Sequence, residues 1–259
     1  MDKDELSYQW MVPAGQIEGS GKTVAWRSPE TEGKYELTVT VSDGSNSVNG
    51  SVSIWVWEPR PGDYYPLEVG NTWTYQDSND NNIDFEIVDT IIIEGDESDA
   101  EAFVKQMTTS GLEDAVNFSY VAKDSDGVLQ YGMGGSNAGG DTITFAPTLP
   151  IYKFPLIPGD SWEIAFDVKV QPGGFYVGSG TATYEVVSEE DLTVEAGSFK
   201  HVFQVKEDFT WELLAREIDH IITYHWLAPN VGIVKFVQEE TIGGETIVTE
   251  AVLHSYSLK

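Results

Sequence analysis

Histidine and cysteine most often mark metal centres and nucleophiles, and this sequence offers few of them. It has four histidines, His201, His220, His225 and His254, and no cysteine. The closest pair lies five residues apart in a segment with strand character, which places the two rings on opposite faces. The spacing therefore argues against a histidine metal site. The lack of cysteine excludes a disulfide framework, a thiolate zinc site and a cysteine nucleophile.

Serine and carboxylate patterns give no catalytic signature. The segment GGSNAGG around Ser136 is close to a nucleophile elbow, but the GxSxG motif needs glycine where Ala138 stands, and it needs a strand–turn–helix context. Adjacent carboxylates such as Glu189 and Glu190 are explained by solvated surface charge in a chain with 43 acidic residues. The sequence predicts a flexible loop around Ser136 and a protein that is not an enzyme.

Two stretches rich in Asp and Asn carry closely spaced oxygen atoms that could bind Ca²⁺. Asp77 and Asn79 lie in DSNDNNIDFE, and Asp124 and Asp126 lie in KDSDG. Hard cations prefer such oxygen ligands, but the first stretch lacks the central glycine and the final glutamate of an EF-hand loop. Two interpretations stay open for both stretches: polar hairpin turns, or loops that bind Ca²⁺. No other cofactor is expected.

Exposed aromatic rings could serve as stacking platforms for sugars. The chain has eight Trp and twelve Tyr residues, most of which fit core positions of strands. Trp211 in EDFTWELL and Tyr176 in GGFYVGSG are the candidates for exposed, ligand-binding rings. A core role is the alternative for both side chains.

The acidic composition limits the classes of partner. With 14 basic residues against 43 acidic ones, the formal charge is -29, so nucleic acids and anionic membrane surfaces should be repelled. No apolar run reaches the roughly 18 residues that a membrane helix needs, and no membrane insertion of this chain is expected. The acidic surface has two interpretations, solvation in a salty or extracellular setting and cation binding.

The elements that must position these residues are short strands. Segments rich in Val, Ile, Thr, Tyr and Trp, such as YELTVTV, alternate with Gly, Asn and Asp turns, which predicts an all-β fold. The proline-rich segment EPRPGDYYP interrupts this pattern. We therefore predict a domain over 1–58, a linker over 59–65 and a second domain over 66–259.

The first domain resembles the bacterial PKD and Ig-like family through SYQW, TVAWRSP and GKYELTVTVSDG. The resemblance implies a β-sandwich with Trp10 and Trp26 in its core. Family members usually carry two more strands before SYQW, so the sandwich is expected to be truncated, with an exposed edge. Such edges are templates for strand addition. We expect this edge to be covered, either by the second domain or by another chain.

The second domain begins its two halves with similar motifs. PLEVGNTW starts at Pro66 and PLIPGDSW at Pro155, and two further matches follow in the same order at growing offsets. We interpret this as an internal duplication, with copies over about 66–150 and 155–258. The domain is predicted to be a duplicated antiparallel β-meander that forms a curved or barrel-like sheet.

The segments DYYPLEVGNTWTY, LTVEAGSFKHVFQV and YHWLAPNVGIVKF resemble a family of bacterial exported proteins and lipoproteins of poorly assigned function. The resemblance implies an extracellular, cell-surface or periplasmic location, with any export signal or lipid anchor upstream of Met1. The function expected first is non-catalytic interaction or structural support, with a protein or glycan partner. The alternative is a ligand-binding module that holds a glycan or an apolar molecule within the curved sheet.

Overall fold

The computed structural model describes residues 6–93, 100–110, 116–135, 142–213, 219–242 and 244–259. These residues form strands, turns and loops, which confirms the predicted all-β class. The chain divides into two compact units, Met1–Pro59 and Arg60–Lys259. Within the described ranges, no helix is long and apolar enough to cross a membrane.

The first unit is a small arrangement of two sheets. Its strands are β1 Ser7–Met11, β2 Gln16–Glu18, β3 Ala25–Arg27, β4 Gly33–Ser42 and β5 Ser47–Val56. One sheet has the order β1-β4-β5, and β2 pairs with β3 in the other. All of these pairs are antiparallel, as the short connecting turns require.

The core of the first unit is thin. Among the described residues of this unit, Leu37 is the one apolar side chain that is buried. Trp10 and Trp26 are half-buried. Their indole N–H groups donate to the carbonyl oxygens of Gly21 and Ala14, respectively, at 3.0 Å each. Almost every side chain of β5 is exposed, including Trp55. The two tryptophans fix loops to the sheet, while β5 presents apolar side chains to solvent.

The second unit is one closed antiparallel barrel of twelve strands. They are β6 Thr72–Asp77, β7 Asn82–Ile93, β8 Ala100–Thr109, β9 Val116–Lys123, β10 Gly127–Gly135, β11 Thr142–Lys153, β12 Ser161–Gln171, β13 Phe175–Val194, β14 Gly197–Leu213, β15 Asp219–Ala228, β16 Gly232–Ile242 and β17 Glu245–Ser257. Each strand pairs with the next along the chain, and β17 pairs back with β6. Closure leaves this sheet without an edge and confirms the predicted barrel-like meander.

A twelve-stranded barrel encloses more space than the eight strands whose interior is just filled by side chains. Large rings occupy much of it. Phe145, Phe166, Phe209 and Trp211 form one aromatic cluster, with centroid distances of 5.1 to 6.3 Å. Inward positions on the other strands are mostly Val, Ile, Leu and Tyr.

The two motifs that suggested duplication form turns with the same hydrogen bonds. Gly70 and Gly159 both have φ of +94°, and their N–H groups donate over 2.7 Å to the carbonyl oxygens of Ile87 and Val186. The tryptophan three residues after each glycine is the second residue of its strand, β6 or β12. Trp73 is buried, and Trp162 is partly buried.

The predicted linker contributes to the barrel. We call residues 60–67 the plug, because they lie against one end of the barrel. Tyr64 and Tyr65 are both buried there. Lys123, at the end of β9, pairs with the carboxylate of Asp63 and donates to the carbonyl oxygen of Tyr65 over 2.8 Å. Asn230, in the β15–β16 turn, exchanges two hydrogen bonds with Asp63.

Candidate functional site

The barrel contains a cavity of about 290 Å³, partly open to solvent, next to the plug. Its walls come from strands on both halves of the barrel and from Tyr65 of the plug. The apolar lining consists of aromatic rings and aliphatic side chains, namely Tyr75, Phe85, Met107, Phe118, Val121, Met133, Ile151, Val205, Ile233 and Phe236. A concave, mostly apolar space with a few convergent polar groups is the usual form of a small-molecule site.

Four polar side chains form a row across one wall of the cavity. Tyr184 pairs with Glu207, Glu207 with Thr223 and Thr223 with Gln238 on the adjacent strands β13 to β16. Directly opposed residues on neighbouring strands share one face of the sheet, so all four point inward together. The row brings several hydrogen-bonding groups to the cavity, whose lining also includes the polar side chains of Asn117, Ser119 and Gln130.

Lys105 is a cationic side chain of the cavity wall. It lies on β8, and its ammonium group donates to the hydroxyl of Tyr65 over 3.2 Å. The same ammonium is 4.4 Å from the ring centroid of Phe85 and 5.2 Å from that of Tyr65. Aromatic faces attract cations. The described ion pairs place no carboxylate within 4.0 Å of Lys105.

Tyr152 and His225 form a second polar pair, with the tyrosine hydroxyl 2.9 Å from Nδ1 of the imidazole. Burial, together with the charge of Lys105, lowers the pKa of His225 to about 3. Burial raises the pKa of the Tyr152 hydroxyl well above its ordinary value. Both side chains are therefore neutral at physiological pH.

Glu207 is an acidic group on the cavity wall. Burial raises its pKa to about 7, although the neighbouring Tyr184 hydroxyl opposes the shift by favouring the carboxylate. Burial also raises the pKa of Tyr184. Glu207 keeps some accessible surface, which faces the cavity that it lines. Near neutral pH this carboxyl can either accept or donate a hydrogen bond.

The two halves of the barrel contribute different charged residues to the cavity. In the first half, Ile87 and Phe85 of β7 pair with Lys105 and Met107 of β8. In the second half, Val186 and Tyr184 of β13 pair with Val205 and Glu207 of β14. Because the matched turns contact Ile87 and Val186 in the same way, Lys105 corresponds to Val205 and Met107 to Glu207. At each of these inward positions one half is charged and the other apolar. The charged side chains are therefore not repeated between the two halves.

Two inward charged residues, Glu207 and Lys105, are the features of the sequence that could have indicated this site. Inward residues alternate along β14 as Phe203, Val205, Glu207, Phe209 and Trp211, which leaves one carboxylate within an apolar series. A charged residue on the apolar face of a strand is an exception that suggests function. Lys105 interrupts a similar series on β8. Neither residue stands out without the pairing that shows which face is internal.

The predicted aromatic ligand residues lie outside the cavity. Trp211 is 8% exposed and packs on Phe209, so the expectation of an exposed ring is wrong for Trp211 and its core alternative holds. Tyr176 is 51% exposed at the start of β13. Trp211 pairs with Gly180, four residues along β13 from Tyr176, and the structure does not combine the two rings into one platform.

The two candidate calcium stretches form turns at opposite ends of the barrel. Asp77 accepts a hydrogen bond from the side-chain amide of Asn81 at 2.9 Å and from the backbone N–H groups of Asn81 and Asn79 at 2.8 Å each, and these bonds lower its pKa. Asp124 accepts similarly from the N–H of Asp126 at 2.8 Å. Both carboxylates thus close polar turns, the first of the two interpretations. Ca²⁺ binding stays a prediction.

The other residues considered for chemistry are dispersed. Three of the four histidines lie beside separate carboxylates, with His201 near Glu189, His220 near Asp208 and His254 near Glu195, while His225 lies in the cavity. The described ranges contain no group of three His, Cys, Asp or Glu residues that could hold a metal ion. Ser136 lies outside the described residues.

Comparisons with known proteins show limited similarity. No protein-family model matches the chain, and a search of curated proteins finds no match. A protein of Bacteroides fragilis, proposed to be exported and with a YmcC-like fold, is 15% identical over 76% of this chain and 100% of its own, with a TM-score of 0.39. A proposed lipoprotein of Parabacteroides distasonis is 13% identical over 76% and 99%, with a TM-score of 0.41. The PKD and Ig-like resemblance of the first unit stays an interpretation.

Proposed function

We propose that this chain is an exported, non-catalytic binding protein whose barrel holds a small, mainly apolar molecule. The observation that carries the proposal is the cavity of about 290 Å³, lined by aromatic and aliphatic side chains with a few inward polar groups. The sequence favoured an interaction or structural role and kept ligand binding as its alternative. The cavity supports the alternative, because a purely structural barrel gains stability by filling its interior.

An apolar ligand fits the walls better than a glycan does. Tyr75, Phe85 and Phe236 pack edge to face, with ring centroids 5.4 to 6.4 Å apart, and present apolar surface to the cavity. Sugar recognition usually combines a flat exposed ring with many hydrogen bonds, and Trp211 is not available as such a ring. Burial of apolar ligand surface supplies about 25 cal/mol per Å².

The polar groups of the cavity support binding more than catalysis. A hydrolase of the two-carboxylate type needs two acidic groups flanking one substrate bond. In the described part of the chain, Glu207 is the one carboxyl with a raised pKa. His225 is a weak base because its pKa is lowered to about 3. We therefore assign the polar groups to ligand orientation.

Export is supported by the sequence resemblance to bacterial exported proteins and lipoproteins in the PLEVGNTW, VEAGSF and LAPNVGIVK segments. The absence of cysteine is compatible with an oxidising compartment. A high negative charge keeps a protein soluble outside the cell as well as inside it. We place the binding function in the periplasm or at the cell surface on these grounds.

The binding proposal is tested with N-phenyl-1-naphthylamine, a neutral dye whose fluorescence rises in apolar surroundings. We expect saturable binding to the purified chain. Val205 lines the cavity, so Val205→Phe should fill part of it and weaken dye binding by about tenfold or more. The matched control is Gln204→Phe, which adds the same ring to the outer face of β14.

Circular dichroism and thermal unfolding show whether both variants keep the fold. The proposal predicts that only Val205→Phe loses binding. Equal dye binding by the parent chain and both folded variants would place the dye on the surface and contradict the proposal. Failure of the parent chain to bind any apolar probe would do the same.

A further inference from the structure

Lys105 gives the cavity a local positive charge, and none of the ion pairs among the described residues neutralises it. Its ammonium group is held by the Tyr65 hydroxyl at 3.2 Å and by the face of Phe85 at 4.4 Å. These partners orient the cation without cancelling its charge. A cation enclosed by apolar walls is costly unless an anion accompanies it.

The neighbours of Lys105 leave room for an anionic partner. His225 is neutral at physiological pH, and the hydroxyls of Tyr75 and Tyr152 are protonated because burial raises the pKa of both. Glu207 lines the cavity too, but the described ion pairs do not join it to Lys105. Lys105 is therefore a charge with hydrogen-bond donors around it that an entering anion can meet.

The whole molecule restricts which anions can enter. The formal charge of -29 disfavours multiply charged anions in the surrounding solution. A molecule with one negative charge is repelled less strongly by the acidic protein. The free energy gained by burying its apolar surface in the cavity can offset this repulsion. The cavity volume of about 290 Å³ limits that apolar body to a single chain or ring system of moderate size.

We propose that the barrel binds small amphipathic monoanions, such as medium-chain or aromatic carboxylates, with the carboxylate at Lys105 and the apolar body against Phe85, Tyr152 and Phe236. This inference rests on the proposed binding function and names its ligand class. The carboxylate accepts a charge-assisted hydrogen bond from the Lys105 ammonium, which is stronger than a bond between neutral groups. Lys105 is the residue that distinguishes acids from neutral molecules of the same length.

The test compares octanoate with 1-octanol, which have the same chain length and differ in charge. Isothermal titration calorimetry measures the binding of each one directly, near pH 6, where Glu207 with its pKa of about 7 is mostly protonated and does not repel the carboxylate. A hydrogen bond to a charged group contributes about 1.5 to 3 kcal/mol, so octanoate should bind about tenfold or more tightly than octanol. Lys105→Met should remove this preference and leave octanol binding in place.

Lys206→Met is the matched control. It removes the same charge from β14 outside the cavity, where Lys206 pairs with Asp208 over 3.1 Å, and it should keep the preference for octanoate. Equal affinity of the parent chain for the acid and the alcohol would overturn the anion assignment but leave the cavity function standing. A preference that survives Lys105→Met would overturn the role of Lys105. If octanoate, octanol and the neutral dye all fail to bind to the parent chain, the binding function itself is contradicted.

Discussion

Single residues give the barrel interior its chemical character. Lys105 and Glu207 occupy inward positions where the corresponding residues of the other half are Val205 and Met107. An apolar residue at either position would avoid the desolvation of a charged group. Under the proposed binding function, these side chains reduce stability and supply groups that orient the ligand, a common relation at binding sites.

Glu207 should make stability depend on pH. Burial raises its pKa from the ordinary 4.5 to about 7, so the folded state holds its proton more tightly than the unfolded state does. Its contribution is fully present below pH 4.5 and is lost as the pH rises through 7. The shift corresponds to about 3 kcal/mol.

Replacement of Glu207 by Gln removes the titrating group. The free energy of unfolding of Glu207→Gln, relative to the parent chain, should rise by up to about 3 kcal/mol between pH 4.5 and pH 8. Urea denaturation at both pH values measures it, and the lowered pKa of His225 affects both proteins alike. The control is Glu185→Gln, at an exposed position on β13. Its free energy of unfolding relative to the parent chain should change by less than about 0.5 kcal/mol between the two pH values. A pH-independent difference for Glu207→Gln would contradict its burial.

At the scale of elements, the two matched turns set the entry of β6 and β12 into the barrel. Each combines a glycine at φ of +94° with a hydrogen bond of 2.7 Å to the following hairpin. The motif was readable from the sequence because proline, glycine and tryptophan each have a distinct local role. The internal duplication stays our interpretation of this correspondence.

Alanine in place of either glycine should destabilise the second unit to a similar extent. The left-handed backbone costs a residue with a Cβ about 1–2 kcal/mol, so Gly70→Ala and Gly159→Ala should each lower the free energy of unfolding by that amount. Val69→Ala, at a 40% exposed neighbouring position, should change it by less than about 0.5 kcal/mol. Chemical denaturation measures all three. If only one of the two substitutions strongly lowered the free energy of unfolding, the turns at Gly70 and Gly159 would not be equivalent.

The sequence predicted elements better than it predicted the site. Strand periodicity and turn residues identified the β-meander, since these signals are local. The cavity depends on which strand faces meet across the closed barrel, and such pairing is not local. Lys105 and Glu207 looked like ordinary surface charges in a chain with 57 charged residues, from 14 basic and 43 acidic ones. The plug resembled a linker because it contains prolines and a glycine, which are typical of linkers. Its two tyrosines are nevertheless buried.

At the scale of the whole molecule, the chain combines a small unit of two sheets with a closed barrel that has a chemically distinct interior. In the first unit, β5 pairs with β4 and exposes Val48, Val52 and Trp55. That the edge of this unit is covered, by the second domain or by a strand from another chain, stays a prediction. In the barrel, the described lining of the cavity is mostly apolar and includes the cationic Lys105.

The most direct test of a binding cavity is to locate a bound ligand. Crystals of the chain grown with a bromonaphthalene would show the bromine by its anomalous scattering, without dependence on any variant. The proposed function predicts a bromine site inside the barrel, with the rings between Tyr152 and Phe236 beneath the plug residue Tyr65. A barrel interior free of bromine, with the label only on the outer surface or on the exposed strand β5, would contradict it.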